Sequence, residues 1–438
     1  MQELLQIYMT NVHPIFPIVD YESYQAMTAG CSEKTLLSQA ICIAVSRDRR
    51  AKEYLFLRAQ PNMSHADISK SLSSAVTTFI SLGLVQDKLV LVQALSLTSL
   101  FTQFSGDRQE PAELLSRAIC HAHTLGLHHK CHSSAGHDET AGTRLFCCLY
   151  ALDILNSACL GRPVQLHHRD LGRDLSSSIA AQEGPFQLFL RVIQLMDRVI
   201  DIYRPHEDSA WKGAFPSFQE LLEAIPADMS AVPVHLIATI EVLYHAVAIL
   251  SCHSTNMHGI SRTPSSESQV RQNLSASSVT HIVGEEFRNE LSGFPFVPYA
   301  VALALRTSYH SVQRSKAPIF EARARRAFIS NCRILQELGG DFHSASLMAD
   351  LGERLIHESG RQKEASAREI QPNEPQGVEN ASSLGDNVVI YSQPNLDNIE
   401  RPDLGETSFH ETALFDPMSF LGIFDNFEQE LEALGTIV

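Results

Sequence analysis

The sequence predicts an all-α protein, a large multi-helix body followed by a disordered acidic tail. Apolar residues recur at three- and four-residue steps through most of the first 357 positions. Alternating strand patterns with hairpin turns are nearly absent. Charge is divided sharply: from Glu358 to Val438 there are 16 Asp/Glu against 4 Lys/Arg, which leaves only −4 of the total −16 on the body.

The first helix carries Leu4, Leu5, Tyr8 and Met9 and ends near His13–Pro14, where HPIFPIVD is extended. Leu36–Val45, Ala66–Leu82, Leu89–Phe104 and Glu113–Leu127 follow as buried or half-buried helices, with Gly83 and Gly126 where stops belong. In Arg144–Asp170, Leu145, Cys148, Leu149, Leu152, Leu155 and Cys159 predict one apolar stripe, broken off by Gly161, Arg162 and Pro163. Phe186–Tyr203 and Leu236–Cys252 repeat the helical period. The Ser/Thr/Asn/Gln-rich stretch 253–278 reads as a flexible insertion, with helix resuming over Val279–Leu291. A proline corner, Phe294–Pro298, precedes Tyr299–Lys316, Ile319–Leu338 and Ser344–His357. The domain plan is a body over 1–357, a disordered linker over 358–409 and an acidic-aromatic segment over 410–438.

Several function classes find no support. Nine scattered cysteines without a CxxC predict reduced thiols inside a cell. The N-terminus lacks the basic and apolar regions of a signal peptide, and Val234–Leu250, interrupted by His235, Glu241 and His245, is too short and polar to span a bilayer. No phosphate loop, GxGxxG, GxSxG elbow, HExxH or adjacent Asp pair appears, so neither an enzyme nor a catalytic or metal residue is expected. Cys120–His137 gathers His121, His123, His128, His129, Cys131, His132 and His137, yet its spacing does not pair ligands as zinc sites do. The basic run Arg314, Lys316, Arg323, Arg325 and Arg326, with Glu321 inside it, reads as a solvated helix face, and no DNA-binding residue is assigned. Asp153 and Arg162 are placed to pair around the Gly161 corner.

Thr412–Val438 is different in kind. Phe415, Phe420, Leu421, Phe424, Phe427 and Leu431 are interleaved with carboxylates, which keep a chain solvated while its apolar side chains stay available to a partner's groove.

Four ordered segments together resemble the fungal-specific transcription factor domain, the helical regulatory region of zinc binuclear cluster regulators. These are LLQIYMTNVHPIFPIVDYESY, then LVLVQALSLTSLFTQFSGDRQEPAELLSRAICHAHTLGLHH, then Arg144–Asp170, then the pair FPFVPYAVALALRTSYHSVQ and FEARARRAFISNCRILQELG. The resemblance covers most of Leu4–His357. It makes Asp153, Gly161, Arg162, Pro163 and Asp170 a structural signature. The family often carries aromatic bulk near Phe146–Cys147 and an Arg at the position of Ile154, so local packing is expected to differ here.

The resemblance implies a nuclear transcriptional regulator, an activator of a metabolic or secondary-metabolite gene set. Its tail would recruit the transcription machinery or a coactivator. The alternative is a co-regulator or ligand-sensing domain that acts through a dimer or heteromer. Such regulators carry a six-cysteine cluster holding two zinc ions, and no cysteine pair here has its spacing. The expectation is that this cluster is encoded upstream of Met1, so that promoter DNA is contacted only through that region or indirectly. Zinc is the cofactor only of that region; no cofactor and no membrane contact are expected of this chain.

Overall fold

Helix follows helix in a computed structural model that describes residues 1–55, 65–102, 109–130, 139–203, 211–252 and 266–355. The first part comprises α1 (Gln2–Asn11), α2 (Tyr21–Ala26), α3 (Ser32–Val45), α4 (His65–Ser81), α5 (Lys88–Thr102) and α6 (Gln109–Thr124). Next come α7 (Glu139–Leu160), α8 (Leu175–Ala180), α9 (Gly184–Ile200), α10 (Phe218–Glu223) and α11 (Val234–Leu250). The last are α12 (Ser266–His281), α13 (Phe296–Arg314), α14 (Pro318–Gly339) and α15 over 343–355. Among the described residues β pairing is limited to an isolated bridge between His129 and Gly172.

Local chemistry sets many of these boundaries. The Cys31 sulfur accepts from the Lys34 amide at the start of α3, and the Asp174 carboxylate accepts from the Ser177 amide at the start of α8. Ser217 and Glu220 form a reciprocal capping box on α10. Pro185 and Pro318 occupy the first turns of α9 and α14, where a missing N–H costs nothing.

Packing runs as a chain of neighbours. α3 lies against α5, α5 against α6, α7 between that group and α9, then α9 against α11 and α11 against α13. α13 in turn carries α12 on one side and α14 on the other. α7 departs from the single apolar stripe that its sequence predicts. Every residue from Leu145 to Leu160 is buried, including Asp153, Asn156 and Ser157. Neighbours on all sides override amphipathicity, because a helix at the centre of a large body has no solvent face. By length and composition this helix could cross a membrane, but 89% of its apolar window is buried inside the fold, the pattern of a core helix.

The stretch expected as a flexible insertion is also different. Its first part, 253–265, lies outside the described residues, but Ser266–His281 is the regular helix α12. Only Ser275, Ala276 and Val279 are buried on it, so its sequence shows almost no apolar stripe. Contact with α11 and α13 holds it, and tertiary packing is what stabilises most helices of weak propensity. The helix expected over Val279–Leu291 is present only to Glu286: α12 runs to His281 and passes into a π-helical turn, Ile282–Glu286. The linker 358–409 and the tail 410–438 lie outside the described residues.

An aromatic chain crosses the core. Phe16 meets Phe189 edge-on with centroids 6.5 Å apart, Phe189 stacks on Phe296 at 6.2 Å, Phe296 on Phe294 at 5.0 Å, and Phe294 reaches Phe101 at 5.5 Å. The HPIFPI corner, α9, the proline corner and α5 thus share one contact path. Each pair adds about 0.5–1.5 kcal/mol beyond its area. Phe294 is fully buried with rings on two sides, so Phe294→Ala is expected to cost about 3–5 kcal/mol, read as a lowered urea midpoint at unchanged slope.

Candidate functional site

α7 ends at Gly161, whose φ of +65° is the left-handed region that only glycine enters without strain. The chain turns back along the end of the helix, and its backbone amides at 165 and 166 need acceptors. Asp153 supplies them. One carboxylate oxygen, Oδ2, accepts from Gln165 N at 2.8 Å and from Leu166 N at 2.7 Å. Its other oxygen, Oδ1, is buried with no hydrogen-bond partner. The expected pairing with Arg162 is therefore not made: Arg162 and Pro163 are exposed, and Asp153 faces the backbone instead of the guanidinium. Two amides presented by a tight corner satisfy a buried oxygen without taking a long cation out of water. Asp170 is exposed at the end of a short 3-10 turn, His168–Asp170.

A second carboxylate binds the same corner to α9. Tyr150, one turn before Asp153, donates to Asp197 Oδ2 at 2.9 Å, and His168 Nε2 lies 2.8 Å from the same oxygen. Arg173 stacks on Phe146 at 4.9 Å and donates to Thr143 Oγ1 and to the His129 carbonyl. Gly172 packs so tightly on His129 that an added Cβ would lie 2.1 Å from Nδ1. A shallow cavity of about 410 Å³ opens beside Tyr150, His168 and Asp197.

The electrostatics are those of a buried clamp. Burial pushes the Asp153 carboxyl up to about 6, against the lowering pull of its two amide bonds and of His167, with Asp197 adding to the rise. Burial and the Asp197 carboxylate raise the Tyr150 phenol far above its usual range. Burial drives Cys147 up to about 12 and Cys148 well above the ordinary thiol value, so neither offers a thiolate nucleophile near neutral pH. In the histidine cluster, the His123 and His128 rings are 4.7 Å apart and those of His128 and His129 3.9 Å. Burial and neighbouring histidines lower His128. Cys131, His132 and His137 lie outside the described residues, as do Phe415, Phe420, Leu421, Phe424, Phe427 and Leu431.

A second polar centre escaped the sequence reading. Arg47, directly after α3, is buried and donates Nε and Nη2 to the Phe101 carbonyl at 3.1 and 2.8 Å, and Nη1 to the Asp341 carbonyl at 2.9 Å. Its guanidinium lies over the Phe342 ring at 4.9 Å, and burial lowers its pKa to about 10. The Asp341 side chain takes Lys52 at 2.6 Å, while Asp48 takes Asn11 at 2.6 Å. The signal was SRDRR, a charge run that starts immediately after an apolar helix; without the fold it looks like an exposed turn. Above Arg47 opens a cavity of about 880 Å³, lined on the α4 side by Ser69, Ser73, Thr77 and Ser81 and opposite by Thr102 and Glu110. Glu110 accepts from Ser73 at 3.1 Å.

Residues 5–175 match the family described as the fungal specific transcription factor domain. The match takes in α1 from Leu5 through α7 and the turn that Asp153 holds, but not Asp197. Over 174 residues the chain is 28% identical to cutinase transcription factor 1 beta of Fusarium vanettenii, covering 38% of this chain and 19% of that protein. The chain thus spans about a fifth of the length of the curated relative it matches. The matched family is a transcription factor family, not an enzyme family.

The raised Asp153 carboxyl has a direct consequence for stability. Folding favours proton uptake at this group, so its contribution is greatest below about pH 4 and is lost as pH rises through about 6, on the order of 3 kcal/mol in all. Asp153→Asn keeps a carbonyl acceptor and cannot ionise. Measured by urea denaturation, the stability of Asp153→Asn relative to the unsubstituted chain is expected to climb between pH 4 and pH 7, and a flat difference would contradict the assignment. Asp153→Ala leaves two buried amides unpartnered and is expected to lose about 2–5 kcal/mol at pH 4.

Proposed function

We propose, from the match of residues 5–175 to the fungal specific transcription factor domain, that the chain is a nuclear transcriptional regulator whose helical body is a non-catalytic scaffold. The family match over the Asp153 corner carries this reading. The corner's chemistry agrees with it, since its carboxylates, phenol and thiols are committed to backbone amides, to one another or to burial. Contact with promoter DNA belongs, in this reading, to a zinc cluster outside this sequence or to a dimeric or heteromeric partner.

The finer part of the proposal is that the chain activates a metabolic or secondary-metabolite gene set. Thr412–Val438 holds five carboxylates and no Lys or Arg among its aromatic and aliphatic residues. That composition suits a segment that folds against a coactivator groove. Fusing Glu358–Val438 to an unrelated DNA-binding module is expected to raise reporter output well above the module alone, and Phe424→Ala with Phe427→Ala is expected to abolish most of the gain. Output equal to that of the bare module removes the activation proposal.

The hydroxyl-lined cavity above Arg47 favours a second reading, a body that senses a small polyhydroxylated ligand. Serine and threonine hydroxyls with three carboxylates, Asp67, Glu110 and Asp341, among them match the donors and acceptors of a polyol. Under this reading a bound polyol raises the thermal midpoint of the intact chain, and Ser73→Leu removes that rise; midpoints unmoved across a polyol panel dismiss it.

A further inference from the structure

α12, α13 and α14 enclose a groove of about 680 Å³ that the Asp153 corner does not share. Its floor is hydroxyl-bearing, with Thr307, Ser308 and Ser311 of α13. Asn331, fully buried beneath, fixes the three helices: its amide donates to Ser308 Oγ at 3.2 Å and its carbonyl accepts from Thr280 at 2.9 Å. The groove is therefore a built feature with a defined shape.

Its margins combine two properties. The first is positive charge. From Arg306 to Arg326 the chain holds six Lys/Arg against one Glu; Arg314 and Arg323 line the groove itself while exposed to solvent, and Glu285 is the carboxylate in its lining. The second is uncovered apolar surface. Ile319 and Phe320, at the start of α14, are each 58% exposed, and Phe320 lines the groove. On α12, Val270 and Leu274 are 55 and 64% exposed, just outside the groove lining. Helical spacing places that pair in line with Ser277 and His281, which line the opposite wall. A basic groove with apolar lips fits an acidic segment that carries apolar residues at helical spacing.

The sequence contains such a segment, and its tether starts nearby. α15 packs onto the pair α13 and α14: a Cβ added at Gly352 would meet Cys332 Sγ at 2.5 Å and Leu305 at 3.5 Å. The chain thus leaves the described body at 355 from the helices that form the groove. The 56 positions 356–411 can span up to roughly 190 Å, more than any distance across the body. Thr412–Val438 then offers Phe420, Phe424, Phe427, Leu431 and Leu434 beside Asp425, Glu428, Glu430 and Glu432, with no positive charge.

We propose that the groove between α12, α13 and α14 is the docking site of this chain's own acidic segment Thr412–Val438, held by Arg314 and Arg323 and by Phe320 at its apolar lip. Docked there, the segment buries its aromatic face and withholds it from other partners. The inference shares with the proposed function only the composition of the tail; a silent reporter fusion would leave it standing, and a free tail would leave the activation proposal standing.

Hydrogen exchange of the intact chain, read by mass spectrometry, tests it. Amides within 412–438 are expected to exchange at least about fivefold slower at low salt than in 1 M NaCl, where the Debye length falls to about 3 Å. Arg314→Glu with Arg323→Glu, both on exposed positions, is expected to release that protection while α7 and α9 keep theirs, which shows that the body still folds. Glu428→Arg, Glu430→Arg and Glu432→Arg should release it as well, and the two charge reversals combined should restore it. A tail that exchanges freely in the unsubstituted chain overturns the proposal. So does protection indifferent to the groove reversals, or protection that grows with protein concentration, which would place the segment elsewhere or on a second molecule.

Discussion

Asp153 is a carboxylate sealed inside a helical body, and the rest of the corner is arranged around the need to give it partners. A buried anion without them would cost several kcal/mol. The fold answers with two amides from a chain that has just reversed at Gly161. Because those amides come from residues 165 and 166, the position of the whole segment up to His168 is fixed relative to α7. His168 and Tyr150 then meet on Asp197, and α9 is tied to the same corner. One oxygen of Asp153 holds the turn, and one oxygen of Asp197 ties that turn to α9.

Arg47 solves the opposite problem by similar means. Its positive charge is buried, and its donors are spent on carbonyls near the ends of two helices, Phe101 in α5 and Asp341 just after α14. Helix C-termini carry partial negative charge and unsatisfied carbonyls, so they suit a guanidinium without requiring a carboxylate at each contact. Gly293 passes against the Arg47 backbone, where a Cβ would sit 3.1 Å from its carbonyl. The aromatic chain through Phe294 and Phe101 begins at the same place. Polar and apolar cross-links converge there and join early helices to late ones.

How much of this was legible follows from which signals are local. The long helices with apolar periodicity, α1, α3 to α7, α9, α11 and α13 to α15, were readable within a few residues, because spacing and stop glycines act over one or two turns; the short helices α2, α8 and α10 were not singled out. α12 was not, since a Ser/Gln-rich helix draws its stability from α11 and α13 and leaves almost no stripe in its own sequence. The all-round burial of α7 was also hidden: the sequence shows an apolar stripe, but only the neighbours decide that there is no solvent face. At the corner, Asp153 and Gly161 could be singled out, whereas the partner of Asp153 could not. Arg162 was the obvious cation in sequence, and backbone amides carry no letter. SRDRR carries no letter that tells the buried Arg47 and Asp48 from the exposed Arg49 and Arg50.

The Arg47 contact with the Asp341 carbonyl spans 294 positions of sequence. During synthesis, at roughly 5–20 residues per second, the amino-terminal helices emerge some 15–60 s before that carbonyl exists. Over that interval the guanidinium lacks one of its two carbonyl partners, and the contact that ties Arg47 to the end of α14 does not yet exist. The amino-terminal half of this body is thus made tens of seconds before the contact that its own far end supplies.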